Sequence, residues 1–196
     1  MTGDPARVFL HHHRRFGTDA VRWWLLREVA PNTDTDFTAR RLVDRANLEL
    51  ANGLGNLVNR TLALVRRAGG GLDSPAPGGS GALAAACRDL PGWVDAALAR
   101  FDFRAATGAL CSVVAEGNRF AEAHRPWELA RAAQRGNGPA AARLDAVLAE
   151  LVAACRIVAG ELGPFLPGGA GRLRAQLLPG SQAASPAPVF PRLDRP

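Results

Sequence analysis

The sequence predicts an all-α protein, an antiparallel helix bundle. Three observations carry that prediction. Apolar residues recur at three- and four-residue spacing along most of the chain, the period of a helix with one buried face. Turn and capping residues fall between those stretches. The connections they form are mostly short, which makes sequential helices antiparallel neighbours. With 196 residues, 47% of them hydrophobic, the chain is long enough to bury a sizeable core.

The elements follow in order. Asp4-Pro5 caps and opens a short helix over about 5–15. A second helix runs over 17–29, capped by Thr18 or Asp19, with Ala20, Val21, Trp24, Leu25 and Val29 on its buried face. The polar run 31–36 breaks the chain. A long helix then covers about 38–67, with Leu42, Ala46, Leu50, Leu54, Leu57, Leu62 and Leu64 among its apolar positions. Gly53 and Gly55 lie inside it, each costing about 1 kcal/mol relative to Ala, which points to close packing or close approach of a ligand. Residues 68–81 are Gly-, Pro- and Ser-rich and read as a flexible linker. A helix over about 82–99 is interrupted or restarted at Pro91-Gly92. The next runs from Asp102 to about 124. Pro126-Trp127 opens a short helix that ends near Gly136-Asn137-Gly138. The last strong helix covers about 139–161, and a short one follows around 168–178. Residues 1–178 thus form one helical domain. Residues 179–196 are a Pro/Ser-rich tail, extended or disordered unless Phe190 docks.

Composition narrows the chemistry. The formal charge is +6 and the isoelectric point about 11.0. Every permanently basic side chain is Arg; there is no Lys. That excludes a lysine Schiff base and a phosphate-loop lysine. It favours guanidinium chemistry, which forks onto phosphate and stacks on bases, although an Arg- and Ala-rich composition also arises in a GC-rich genome. Cys87, Cys111 and Cys155 are far apart in apolar helical runs and read as small core residues. His11-His12-His13 reads as a polar helix face, with no carboxylate or Cys nearby to complete a metal site. No cofactor is expected. No stretch is long and apolar enough to cross a membrane, and 1–7 lack the apolar core of a signal peptide. The default expectation is a cytoplasmic protein.

One constellation points to a partner. Asn52, Asn56 and Arg60 recur every fourth residue, so one helix face carries a stripe of amide and guanidinium groups. Such groups hydrogen-bond base edges. Pro126 sits at a helix start and holds the indole of Trp127 half exposed, a platform for an unstacked base. Each residue also has a plainer reading: Arg60 as a solvated helix residue, Asn56 as an interhelix hydrogen bond, Trp127 as core. Asn52 suits packing or support better than reading.

A family resemblance rests on segments that occur in order: 17–28 (Gly-Thr-Asp-Ala-Val-Arg-Trp-Trp-Leu-Leu-Arg-Glu), Asp36-Phe37, Arg45 with Asn47, 50–61 (Leu-Ala-Asn-Gly-Leu-Gly-Asn-Leu-Val-Asn-Arg-Thr), 101–106 (Phe-Asp-Phe-Arg-Ala-Ala), 118–120 (Asn-Arg-Phe), 125–130 (Arg-Pro-Trp-Glu-Leu-Ala), 163–167 (Gly-Pro-Phe-Leu-Pro) and 190–192 (Phe-Pro-Arg). Together they resemble the C-terminal anticodon-binding domain of methionyl-tRNA synthetases. The resemblance implies a helix bundle of the class I aminoacyl-tRNA synthetase anticodon-binding type. It implies that Asn56 and Arg60 contact anticodon bases and that Trp127 stacks on a splayed base. Asn52, Pro126 and Arg125 then play supporting roles; Arg125 stands where that family usually carries Ala. The family's ATP-handling signatures, His-Ile-Gly-His-like and Lys-Met-Ser-Lys-Ser-like, do not occur here. The expectation is therefore a tRNA-binding module without catalytic residues of its own. It would act in trans with a catalytic chain, or deliver a methionine-type tRNA to another pathway. The alternatives are a protein–protein bundle derived from a synthetase and a fragment of a larger synthetase.

Overall fold

The structure, a computed structural model, describes residues 13–29, 35–69, 81–178 and 188–195. The expected first helix over 5–15 lies largely outside them, as do the core of the 68–81 linker and the stretch 179–187. Among the described residues there are helices and no strands. Residues 13–16 are helical, and they are followed by α1 (Thr18–Glu28), α2 (Ala39–Arg45), a π-helical stretch (Ala46–Gly55), α3 (Asn56–Arg67), α4 (Ala82–Leu98), α5 (Phe103–His124), α6 (Pro126–Gln134), α7 (Gly138–Glu161) and α8 (Pro167–Gln176). The all-α fold is as the periodicity predicts.

One core holds the bundle together. α7 runs through its centre and buries Leu144, Leu148, Leu151, Val152, Cys155, Val158 and Ala159. α5 and α4 pack on each other and on α7, and α3 closes the other side. Thr61 on α3 is buried and its hydroxyl bonds the Cys155 thiol of α7.

Several local features depart from the sequence reading. The long helix over 38–67 is continuous, but ten of its residues, Ala46–Gly55, are wound as π-helix. Such stretches are rare and longer than the usual single-turn bulge. Gly55 faces the docked 188–195 segment at its end: a Cβ there would lie 3.7 Å from the Phe190 carbonyl and 3.8 Å from its Cβ. α4 carries Pro91 without a break; Pro91 and Gly92 are both exposed. At the start of α1, neither Thr18 nor Asp19 caps the helix. Gly17 occupies the cap position at φ 83, Thr18 bonds the His13 ring at 2.7 Å, and Asp19 pairs with Arg172 of α8 at 2.7 Å. At the end of α1, Leu25 and Val29 are exposed, contrary to the expected buried face. The inward places belong to Trp23, Trp24 and Arg27, the last drawn in by Glu49.

That Glu49 stands at the middle of the π stretch and organises the charges around it. It accepts from the Trp23 indole at 2.7 Å, from Arg27 at 2.9 and 3.1 Å and from Arg45 at 2.9 Å. Arg45 and Arg41 both pair with Glu28. Burial pushes the Glu49 carboxyl up, but the hydrogen bonds from Arg27 and Trp23 and the charges of Arg27 and Arg45 outweigh it. The group is held below its ordinary value of 4.5.

The segment 188–195 docks against this region, so Phe190 does anchor the tail. Val189 and Phe190 are buried. The Phe190 ring lies against Gly169, where a Cβ would come within 2.7 Å of it. Asn47 in the π stretch grips the Leu193 backbone with both halves of its amide, donating to the carbonyl and accepting from the N–H at 2.8 Å each.

Candidate nucleic-acid interface

The face that carries Asn56 and Arg60 is set by what α3 buries. Leu57, Val58, Thr61, Leu62 and Val65 point into the core. Helical spacing then turns Asn56 outward and leaves Arg60 partly exposed. Asn52, one turn earlier and inside the π stretch, is exposed too. Neither Asn52 nor Asn56 makes a side-chain hydrogen bond among the described residues, so Asn56 is not spent on an interhelix contact.

α5 comes close to α3 because Gly117 has no side chain: a Cβ there would lie 2.9 Å from a Leu57 methyl. That approach brings Glu122, in the last turn of α5, to Arg60. Both terminal nitrogens of Arg60 donate to one Glu122 oxygen, at 3.1 and 3.2 Å. Arg60 is therefore not an ordinary solvated arginine.

Trp127 reaches the same place through a tight corner. Arg125 ends α5 and begins α6 in the left-handed region, at φ 47. Its N–H bonds back to Ala121 and its carbonyl accepts from Glu128. Its side chain pairs with Glu128 at 2.5 Å. A non-glycine residue in this conformation costs about 1 kcal/mol or more, and the two helices joined there hold it in place. Pro126 follows at the first helical position and is buried, so the backbone entering α6 is fixed. Trp127 emerges half-buried, with the Arg60 guanidinium 5.0 Å from its ring centroid. It is neither plain core nor a free surface ring. The stripe and the indole predicted from separate stretches meet: Arg60 from α3, Glu122 from α5 and Trp127 from α6.

Glu122 is the member that sequence reading missed. It sits in an unremarked Ala-Glu-Ala-His run, and its partner is 62 residues away. No local pattern marks such a pairing.

The three cysteines are not poised to react. Burial pushes the Cys87 thiol up to about 11 and those of Cys111 and Cys155 up to about 12, so almost no thiolate forms near neutral pH. No group of three or more His, Cys, Asp or Glu side chains is placed to hold a metal among the described residues. No described helix is long and apolar enough to cross a membrane.

The family described as tRNA synthetases class I (M) matches residues 7–62. The methionine–tRNA ligase of Streptococcus pyogenes serotype M6 is 34% identical over 204 residues, covering 92% of this chain and 30% of that protein. This chain is homologous to part of methionyl-tRNA synthetase. Methionine–tRNA ligase 1 of Bacillus cereus aligns with it at 31% identity over the same shares. Among solved structures, the apo methionyl-tRNA synthetase of Mycobacterium tuberculosis superposes with a TM-score of 0.86 and 27% identity, over 100% of this chain and 42% of that one. The same enzyme bound by methionyl-adenylate gives 0.84, over 93% and 39%. The chain spans about 30% of the length of the curated methionine–tRNA ligases it matches.

Proposed function

We propose that this chain is a tRNA-binding module that reads an anticodon, with a methionine-type tRNA as its partner. The observation that carries the reading is the meeting of Arg60 and Trp127 beside an exposed Asn56 whose side chain has no hydrogen-bond partner among the described residues. An aromatic face, a guanidinium fork and a free amide supply stacking and hydrogen-bond readout, the two things an unstacked base requires. Homology to methionyl-tRNA synthetases supports the choice of tRNA. Asn56 offers a donor and an acceptor to a Watson–Crick edge. Arg60 adds a directed cation, and Trp127 supplies the stacking plane. Asn52, Arg125 and Pro126 support them.

Aminoacylation needs ATP phosphates and an activated carboxylate held together by positioned groups. The 196 residues contain no Lys and neither ATP-handling signature. The module therefore works with catalytic residues supplied elsewhere, either on a separate chain in trans or on a longer synthetase of which this is a segment. The second reading is favoured by the 30% share of the relatives' length that aligns.

The test is binding to two tRNA transcripts that differ only in the anticodon, CAU against an unrelated triplet, over a series of salt concentrations. Non-specific attraction to phosphates binds both and fades steeply with salt. Anticodon reading leaves a difference between them at every salt concentration. Equal affinities throughout would overturn the proposal.

A further inference from the structure

We propose that the cavity between α4, α5 and α7 binds a free α-amino acid with an apolar side chain, Glu150 accepting from its ammonium group and Arg143 holding its carboxylate. Asn56, Arg60 and Trp127 do not line this cavity, so the proposal stands apart from the tRNA-binding reading. The volume is about 680 Å3, within the range of small-molecule sites. Leu83 of α4, Phe120 of α5 and Val147 of α7 give it apolar walls. The Phe120 ring stacks on His124 with centroids 4.0 Å apart, and His124 Nδ1 lies 3.0 Å from the Phe120 carbonyl. That wall is therefore a fixed surface for an apolar group.

Glu150 is the group that points to a ligand. Its Oε1 is buried and has no hydrogen-bond partner among the described residues. A buried oxygen left unpaired costs stability, and such groups are few in folded proteins. Glu150 lines the cavity, where an N–H donor of a ligand can reach it. Arg143 lines the same cavity from the same helix. It is exposed and has no ion-pair partner among the described residues. The two stand seven positions apart, two turns and about 10 Å along α7, too far to pair with each other. Glu116 and Arg119, at the same cavity, are spent on one another. One free acceptor, one free guanidinium and an apolar wall remain. A small dipolar molecule with an apolar body matches all three, and α-amino acids are the simplest of that class. Both polar contacts are charge-assisted, the strong kind of hydrogen bond.

The experiment is calorimetric titration of the intact chain with L-phenylalanine, whose ring suits the Phe120 wall. Two analogues each lack one charge: phenylalanine amide keeps the ammonium, and 3-phenylpropionate keeps the carboxylate. The expected result is saturable one-site binding of L-phenylalanine, with each analogue weaker by about tenfold, the weight of one charge-assisted hydrogen bond. Glu150→Gln should weaken L-phenylalanine by about the same factor and leave 3-phenylpropionate unchanged. Arg143→Gln should weaken L-phenylalanine and leave the amide unchanged. Melting curves check the fold of both variants. Glu150→Gln should not lower the melting temperature, because its Oε1 has no protein partner to lose. No saturable binding of L-phenylalanine up to about 10 mM overturns the proposal and leaves the Glu150 oxygen to an ordered water. Equal binding of the analogues overturns it too, as do losses in the variants that do not follow the charge removed. A lowered melting temperature in Glu150→Gln would make Glu150 a structural residue, with the same consequence.

Discussion

The Arg60 guanidinium lies 5.0 Å from the centre of the Trp127 ring, although the two residues belong to different helices and stand 67 positions apart in the sequence. A cation beside an indole contributes about 0.5–1 kcal/mol at a surface. The contact also presets the ring, so a base that stacks on Trp127 meets a plane already held. Trp127→Ala should weaken the CAU transcript by about 1–3 kcal/mol and reduce its advantage over the mismatched one. Trp127→Phe should retain part of the stacking. Titration of both variants against both transcripts decides this, and discrimination unchanged in Trp127→Ala would remove the stacking role.

Asn56 makes a sharper separation between binding and folding. It is exposed and carries no side-chain hydrogen bond among the described residues. Asn56→Ala should therefore move stability by no more than about 0.5 kcal/mol. Loss of a base-edge contact should cost about 1–3 kcal/mol of discrimination. A melting curve and a pair of binding isotherms check both numbers. A large drop in stability would mean that Asn56 is structural.

The acid limb of stability should belong partly to Glu49. Its carboxyl is held below its ordinary value of 4.5, so the folded chain binds a proton there less readily than the unfolded chain. The sign follows: its contribution is complete well above 4.5, and is lost as pH falls through the lower folded-state value. Glu49→Gln should flatten that limb. At neutral pH it should also lower stability by about 2–3 kcal/mol, because Arg27 and Arg45 lose a charged acceptor. Denaturant midpoints measured from neutral pH into acid would show both effects. An unchanged acid limb would assign it to other carboxylates.

Phe190 and Gly169 form a tight pair that can be tested from both sides. Phe190→Ala should cost about 3–5 kcal/mol, as loss of a buried aromatic does. Gly169→Ala would place a methyl 2.7 Å from the ring and should cost about 1–3 kcal/mol. Combining Gly169→Ala with Phe190→Leu should cost less than the sum of the two single changes, because the shorter side chain relieves the clash. Strict additivity would show that the two do not press on each other.

These residues also mark how far the sequence could be read. Helical period placed the elements of the bundle, since each buries one face and local spacing records that face. The same spacing brought out Asn56 and Arg60, and a Pro at a helix start brought out Trp127. The π winding of Ala46–Gly55 left no such trace. Glu49, Asn47 and the docked Phe190 hold contacts at its two ends and middle, and those contacts come from distant segments. Glu122 was hidden for the same reason. Leu25 and Val29 misled because an apolar period near a helix end says nothing about whether a neighbour covers it; Arg27 took the inward place through its partner on another helix.

The grip of Asn47 on Leu193 joins residues 146 positions apart. Closing so long a loop is entropically costly and slow compared with forming a helix turn. During synthesis, the amide of Asn47 has no Leu193 to hold until almost the whole of this sequence has left the ribosome. The winding just ahead of Asn56 and Arg60 gains this brace only after residue 193 has been made.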